Sequence, residues 1–195
     1  MTVYNVGVLV GSLSEKSINR KLFRALSRLA PAAELSLTEI PIRDLPLYNY
    51  DFDEDYPEVG TALKRSIEAA DGVIIVTPEY NRSMPAGVKN ALDWASRPWG
   101  TNSFDGKPAA VIGTSPGSIG TAVAQQHVRG VLSFLAAPTL AQPEGYLQDR
   151  PGLITEDGEI TDDGTREFLV SWLGAFHAHI QKALLPAEQL LASVS

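Results

Sequence analysis

Residues 71–98 read DGVIIVTPEYNRSMPAGVKNALDWASRP. Val73-Ile74-Ile75-Val76 is a β-branched run with no polar alternation, the pattern of a strand buried on both faces of a parallel sheet. The run stops at Thr77-Pro78, and a polar loop follows as far as Pro85. From Ala86 onward, Val88, Ala91, Leu92 and Ala95 fall on one helical face. The order is strand, loop, helix, which puts the loop at the carboxyl edge of a sheet. Open α/β sheets bind their ligands along that edge.

The flanking sequence repeats the pattern. Val6 to Val10 is a near-continuous apolar run ending at Gly11, and Ser12 to Ser17 is polar. Ile18, Leu22, Leu26 and Leu29, with Phe23, predict a helix that stops near Ala30-Pro31. Glu34 to Ile40 alternates as an edge strand does. Pro41 to Pro57 is irregular, and so long a loop is often functional. Val59, Leu63, Ile67 and Ala70 predict the next helix. Ala109 to Ile112 predicts a further buried strand, ending in the turn Gly113–Ser118. A helix from Ile119 to Ala136 and a short fifth strand at Thr139–Ala141 come next. Asp149 to Asp163 is turn-rich. Leu169, Trp172, Leu173, Phe176, Ile180 and Leu184 then share one face of a terminal helix. Five strands alternating with five helices predict an α/β fold: a doubly wound, five-stranded parallel sheet in three layers, one domain over residues 1–195. The loops after Val10, Val76 and Ile112 are expected to open onto one crevice.

Composition narrows the chemistry. Sixteen Lys and Arg against 23 Asp and Glu give a net charge of −7, which argues against a nucleic-acid surface. With no cysteine, thiol nucleophiles, disulfides and thiolate metal sites are excluded. No apolar run is long enough to span a membrane. The amino terminus, MTVYNVGVLVG, enters a strand without a basic region, so a cytoplasmic location is the expectation.

In the first loop Ser12, Ser14, Ser17 and Asn19 supply short donors beside a helix amino terminus that carries about half a positive charge. That is the chemistry of a phosphate cradle. The plainer reading has Ser17 capping the helix and the rest solvated. No Gly-x-Gly-x-x-Gly and no Walker-type Gly-Lys-Ser/Thr occurs. Hydroxyls wrap a terminal phosphate better than a pyrophosphate pressed on bare backbone, so a mononucleotide such as FMN suits the loop. Glu39, near the end of the second strand, stands where a dinucleotide fold keeps its ribose-binding acid, which leaves an NAD-binding Rossmann reading open.

The set GSLxxxSxNR, LPLYN and PEYNxSxPxxxKNALDW, with a Ser-rich turn after the fourth strand, resembles the NAD(P)H-dependent FMN reductase family from Val3 to about Leu140. That family has a flavodoxin-like fold and includes quinone, chromate and azo reductases. The resemblance implies FMN and NADPH or NADH as cofactors, with chemistry at flavin N5 and no catalytic side chain or metal. It implies that Ser12, Ser17, Ile18 and Asn19 hold the phosphate. Pro78, Glu79, Tyr80 and Asn81 would line the isoalloxazine, with Ser83 supporting their turn. Ser115, Pro116 and Gly117 would border the opposite edge. It also implies a homodimer or homotetramer, with Tyr48, Asn49, Arg82 and Trp99 among the substrate-cavity walls, partly borrowed from a second subunit. Two departures stand out: Ser14 replaces a basic residue of many relatives, and Ala86-Gly87 replaces Gly and an apolar residue.

The activity expected is a ping-pong NAD(P)H oxidoreductase that reduces flavin, quinones or azo, nitro and chromate acceptors. The alternative is a flavodoxin-type electron carrier without a nicotinamide site. Glu79 is read as bracing its loop rather than as an acid or base. Arg82 is read as steering an NADPH phosphate or an anionic substrate, or as a surface ion pair. His127 has no evident partner, while His177 and His179 are expected to be one packed and one exposed. The acidic run Asp51–Asp55 is read as solvated loop, and Trp94, Trp99 and Trp172 as core or interface.

Overall fold

The computed structural model describes residues 2–185. Five parallel strands, β1 (Tyr4–Val10), β2 (Leu35–Glu39), β3 (Gly72–Val76), β4 (Ala109–Ser115) and β5 (Gly145–Gln148), lie in the order β2-β1-β3-β4-β5. That is the flavodoxin-like arrangement, with its switch point between β1 and β3. Successive side chains of a strand point to opposite faces, and here both faces are covered. Val6, Val8, Val10, Ile74, Val76, Ala110 and Ile112 enter the core beneath helices α1 (Ile18–Leu29) and α5 (Asp163–Ala183). Leu9, Val73, Ile75, Ala109 and Val111 enter the other, beneath α2 (Glu58–Ala69), α3 (Ala86–Ala95) and α4 (Ala122–Phe134). Every residue of β3 is buried. The edge strand β2 buries only Leu35, consistent with its alternation.

The register positions the site. Val10 pairs with Val76, and Val76 with Ile112. Val10 and Val76 are thus the last residues of β1 and β3, side by side, whereas β4 runs past Ile112 to Ser115, so its loop opens at the same edge of the sheet but three residues later than the turn at Gly113–Ser118 expected from sequence.

Several elements differ from their sequence reading. Thr139 forms only an isolated bridge with Ala109, and the fifth strand is Gly145–Gln148. Pro143 has no N–H for a ladder, so regular pairing resumes only beyond it. Helix α4 starts at Ala122 rather than Ile119, because Gly120 turns with φ +60° and a Cβ there would come 2.9 Å from the Leu147 nitrogen. In α1 the buried face is Asn19, Leu22, Ala25 and Leu26 instead of the stripe through Ile18 and Leu29. Leu184 follows the end of α5 and is exposed.

Candidate cofactor site

The loop after β1 begins at Gly11, whose amide donates to the Val76 carbonyl at 2.8 Å. A side chain there would collide with Val88 of α3, so glycine is required by close approach. Ser12 and Ser17 are buried, while Ser14, Glu15 and Lys16 face solvent. Ser17 is the N-cap of α1, its hydroxyl accepting from the Arg20 amide at 3.2 Å. The first helical amides, of Ile18 and Asn19, have no acceptor among the described residues. The Asn19 carboxamide is committed elsewhere. Its Nδ2 donates to the Thr114 carbonyl at 2.9 Å and its Oδ1 accepts from the Thr114 amide at 3.0 Å, fastening α1 to β4. Only the backbone of Asn19 therefore remains for a ligand.

The loop after β3 is braced from below. Glu79 Oε2 accepts from the amides of Val123 and Ala124, each at 3.1 Å, in the first turn of α4. A carboxylate there satisfies helix-terminal donors and opposes the dipole. Tyr80 and Ser83 exchange both backbone hydrogen bonds at 3.0 Å around Asn81 (φ 51°) and Arg82 (φ 62°). Positive φ at both central residues marks a type I′ turn. Asparagine tolerates that conformation, whereas each ordinary side chain costs roughly 1–2 kcal/mol in it. Ser83 Oγ lies 3.0 Å from His127 Nδ1, so His127 does have a partner, a pairing no sequence spacing revealed. Glu79→Ala is expected to lower stability by about 1–3 kcal/mol through two orphaned amides, with Glu79→Gln losing less; urea unfolding measures both.

The loop after β4 closes the row. Ser115 Oγ donates to the Gly120 carbonyl, the Ser115 carbonyl accepts from Asp149 at 2.8 Å, and the Pro116 carbonyl accepts from Gln148 Nε2 at 3.1 Å. Pro116 and Gly117 are exposed.

Residues of the long loop are fastened to α3. Asn90 Oδ1 accepts from the Tyr48 amide at 2.9 Å, and Asn90 Nδ2 donates to the Pro46 carbonyl at 2.8 Å. Trp94 Nε1 reaches the same carbonyl at 2.7 Å, and the Trp94 ring meets Tyr48, Phe52 and Tyr56. LPLYN and KNALDW are thus two halves of one clasp, which their separation in sequence concealed. Asn49 caps the short turn at Tyr50–Asp53. Of the four expected cavity-wall residues, Arg82 lies on the β3 loop, Tyr48 and Asn49 lie along α3, and Trp99 lies beyond its carboxyl end. A ten-residue helix separates Trp99 from the β3 loop, about 15 Å. Trp99 instead lines a cleft of about 1340 Å³ between α3 and α4, which meets the β3 loop only at Ser83 and Met84.

Burial, then the hydrogen bond from its hydroxyl to Asp53 at 2.7 Å, pushes Tyr48 up to about 12. Burial also raises Tyr56. Because the unfolded chain releases the Tyr48 proton near its usual 10, this group costs the fold stability only as pH rises from about 10 to 12 and is neutral below. An alkaline absorbance titration is expected to show Tyr48 ionising in that late phase, and Tyr48→Phe to remove the step.

Glu39, the residue that left a dinucleotide reading open, is held by Arg20 through two bonds of 2.7 and 2.9 Å. A carboxylate with both oxygens in a guanidinium fork is poorly placed to grip a ribose. His177 and His179 are both half-buried, His177 against Tyr4 and His179 bonded to the Pro138 carbonyl at 2.8 Å. No helix of the described residues is long and apolar enough to cross a membrane.

A sequence model of the NADPH-dependent FMN reductases matches residues 4–150. The chain is 48% identical over 176 residues to a 2-hydroxy-1,4-benzoquinone reductase of a Burkholderia species, covering 90% of this chain and 96% of that one. It is 45% identical over 180 residues to a quinone reductase of Pseudomonas putida, covering 92% and 96%. Among solved structures, the flavoenzyme NAD(P)H:(acceptor) oxidoreductase FerB of Paracoccus denitrificans superposes with a TM-score of 0.88 at 46% identity, covering 93% and 99%.

Proposed function

The chain belongs to the NADPH-dependent FMN reductase family, a flavoenzyme lineage using FMN and NAD(P)H, and from that premise we propose that it reduces quinones by a ping-pong cycle. Azo, nitro and chromate compounds are secondary acceptors in this reading. One observation carries it: β1, β3 and β4 are parallel neighbours ending at Val10, Val76 and Ser115, so their three polar loops leave the same edge of the sheet side by side. The residues of those loops fit the cofactor, because buried hydroxyls and uncommitted amides stand at the amino terminus of α1.

In this reading Ser12, Ser17 and the amides of Ile18 and Asn19 take the phosphate, with Ser14 and Lys16 at the outer lip. Hydrogen bonds to a charged group contribute roughly 1.5–3 kcal/mol each. Four would supply much of the roughly 12 kcal/mol that nanomolar binding represents. Pro78, Glu79, Tyr80 and Asn81 line the ring, Ser83 holds their turn, and Ser115, Pro116 and Gly117 border its far side. Bound FMN supplies the hydride chemistry; the chain's own task is to seat the ring and keep the turn fixed. Trp99 is 74% exposed and stands a helix length from Tyr80 and Asn81 of its own protomer, so in this reading it walls the flavin-facing cavity of a second protomer, as a homodimer or homotetramer would allow.

The purified protein is expected to be yellow, to be bleached anaerobically by NADH or NADPH, and to regain colour on adding a quinone. Parallel double-reciprocal lines would support the ping-pong order. A protein that binds no FMN and oxidises no NAD(P)H in its presence overturns the proposal. An electron carrier without a nicotinamide site would hold FMN yet resist bleaching.

A further inference from the structure

Arg82 occupies a backbone position that does not suit it. In a two-residue turn with both φ values positive, the second central position favours glycine, yet this chain places arginine there at φ 62°. Strain retained in a well-fastened loop is a pointer to function. The fastening is thorough: two backbone bonds close the turn, Ser83 meets His127, and Glu79 grips α4. The Arg82 side chain is 71% exposed, and among the described residues its one polar partner is Glu79 Oε1 at 3.5 Å, the limit of hydrogen-bond reach. The other oxygen of Glu79 is already shared by two helix amides, so this carboxylate offsets the guanidinium only weakly. On a chain of net charge −7, Arg82 is a cation held over the β3 loop with most of its donors unspent.

We propose that Arg82 is a specificity-determining residue that selects acceptors bearing an ionised oxygen conjugated with the reducible carbonyls, namely hydroxylated quinones in their enolate form. The inference rests on the quinone-reductase reading above and deepens it. A hydroxyquinone is a vinylogous carboxylic acid, planar and anionic at neutral pH. Its adjacent oxygens suit a guanidinium fork, which recognises delocalised planar anions through two parallel bonds. Reduction transfers a hydride, two electrons and one hydrogen, from NAD(P)H and, because the acceptor starts as the enolate anion, takes two protons from solvent to yield the neutral quinol and NAD(P)+. Arg82 contributes neither electrons nor proton. It binds the anion and offsets the charge that makes such a quinone reluctant to accept more electron density.

The test uses FMN-loaded wild type, R82G, R82Q and R82K. Affinity of the oxidised enzymes for 2-hydroxy-1,4-benzoquinone is read from flavin absorbance without turnover. Rate constants for reoxidation of the reduced enzymes are then measured with that anion and with neutral 1,4-benzoquinone. In R82G and R82Q the anion is expected to lose about tenfold more than the neutral quinone, in affinity and in rate, the signature of one charge-assisted contact. R82K is expected to recover part of the loss. R82G, relieved of strain, is expected to melt no lower than wild type, which separates recognition from folding. Equal losses with both quinones, no loss with either, or a loss confined to reduction by NADPH would overturn the inference while leaving the reductase reading intact. A wild-type enzyme that reduces neither quinone overturns both.

Discussion

Trp94→Ala is expected to cost about 3–5 kcal/mol of stability, the range for removing a large aromatic from a packed interior. For a domain of this size, that is a fall in melting temperature of roughly 6–20 °C. Trp94 is fully buried, with rings of Phe52, Tyr56 and Tyr48 at 5.0, 5.2 and 5.3 Å around it. Gly60 of α2 backs it so closely that a Cβ there would stand 2.7 Å from the indole. Its Nε1 also holds the Pro46 carbonyl, so the truncation loosens the whole stretch from Pro41 to Pro57. Limited proteolysis is expected to cut that stretch in Trp94→Ala and spare it in wild type. Trp94→Phe, which keeps most of the packing and loses the indole bond, should fall between them.

Gly113→Ala is expected to weaken FMN binding. A Cβ at this position in β4 would run into the Thr77 carbonyl oxygen and the Thr121 hydroxyl. Thr77 leads into the β3 loop, and Thr121 precedes α4, so any movement that admits the methyl group displaces the turn or the helix that braces it. Overpacking of this kind typically costs about 1–3 kcal/mol, and backbone is slower to yield than a side-chain tip. FMN affinity, followed by recovery of free-flavin fluorescence, is expected to weaken at least about tenfold, or roughly 1.4 kcal/mol. Gly174→Ala serves as control. Nothing lies within 4 Å of a Cβ there, and alanine in a helix gains about 0.5–1 kcal/mol over glycine. Normal FMN binding by Gly113→Ala would remove that loop from the site.

What the sequence disclosed and what it withheld have physical reasons. Val73–Val76 and Ala109–Ile112 are buried on both faces, so their composition alone betrays them. The fifth strand is four residues long and follows a proline, too short for any period to register. The rim was readable because polar loops after apolar strands are a one-dimensional signal. What each rim residue does with its donors is not: Asn19 resembles a phosphate ligand in a string of short polar residues, and only the arrival of β4 beside α1 assigns its carboxamide to Thr114. The clasp of Asn90 and Trp94 on Pro46 joins segments more than forty positions apart, a distance no local pattern spans. Bracing by Glu79 is legible in the sequence because chemistry at flavin N5 asks for orientation rather than a side-chain acid.

The three tryptophans are unequally placed, with Trp94 and Trp172 fully buried and Trp99 74% exposed. The molecule therefore carries its own optical reporter. Emission that aqueous iodide can reach belongs to Trp99 alone, at the mouth of the cleft between α3 and α4. If a second protomer covers Trp99 as proposed, its emission is expected to be shielded from iodide in concentrated protein and to shift to the red on dilution, with no dye attached and no residue changed.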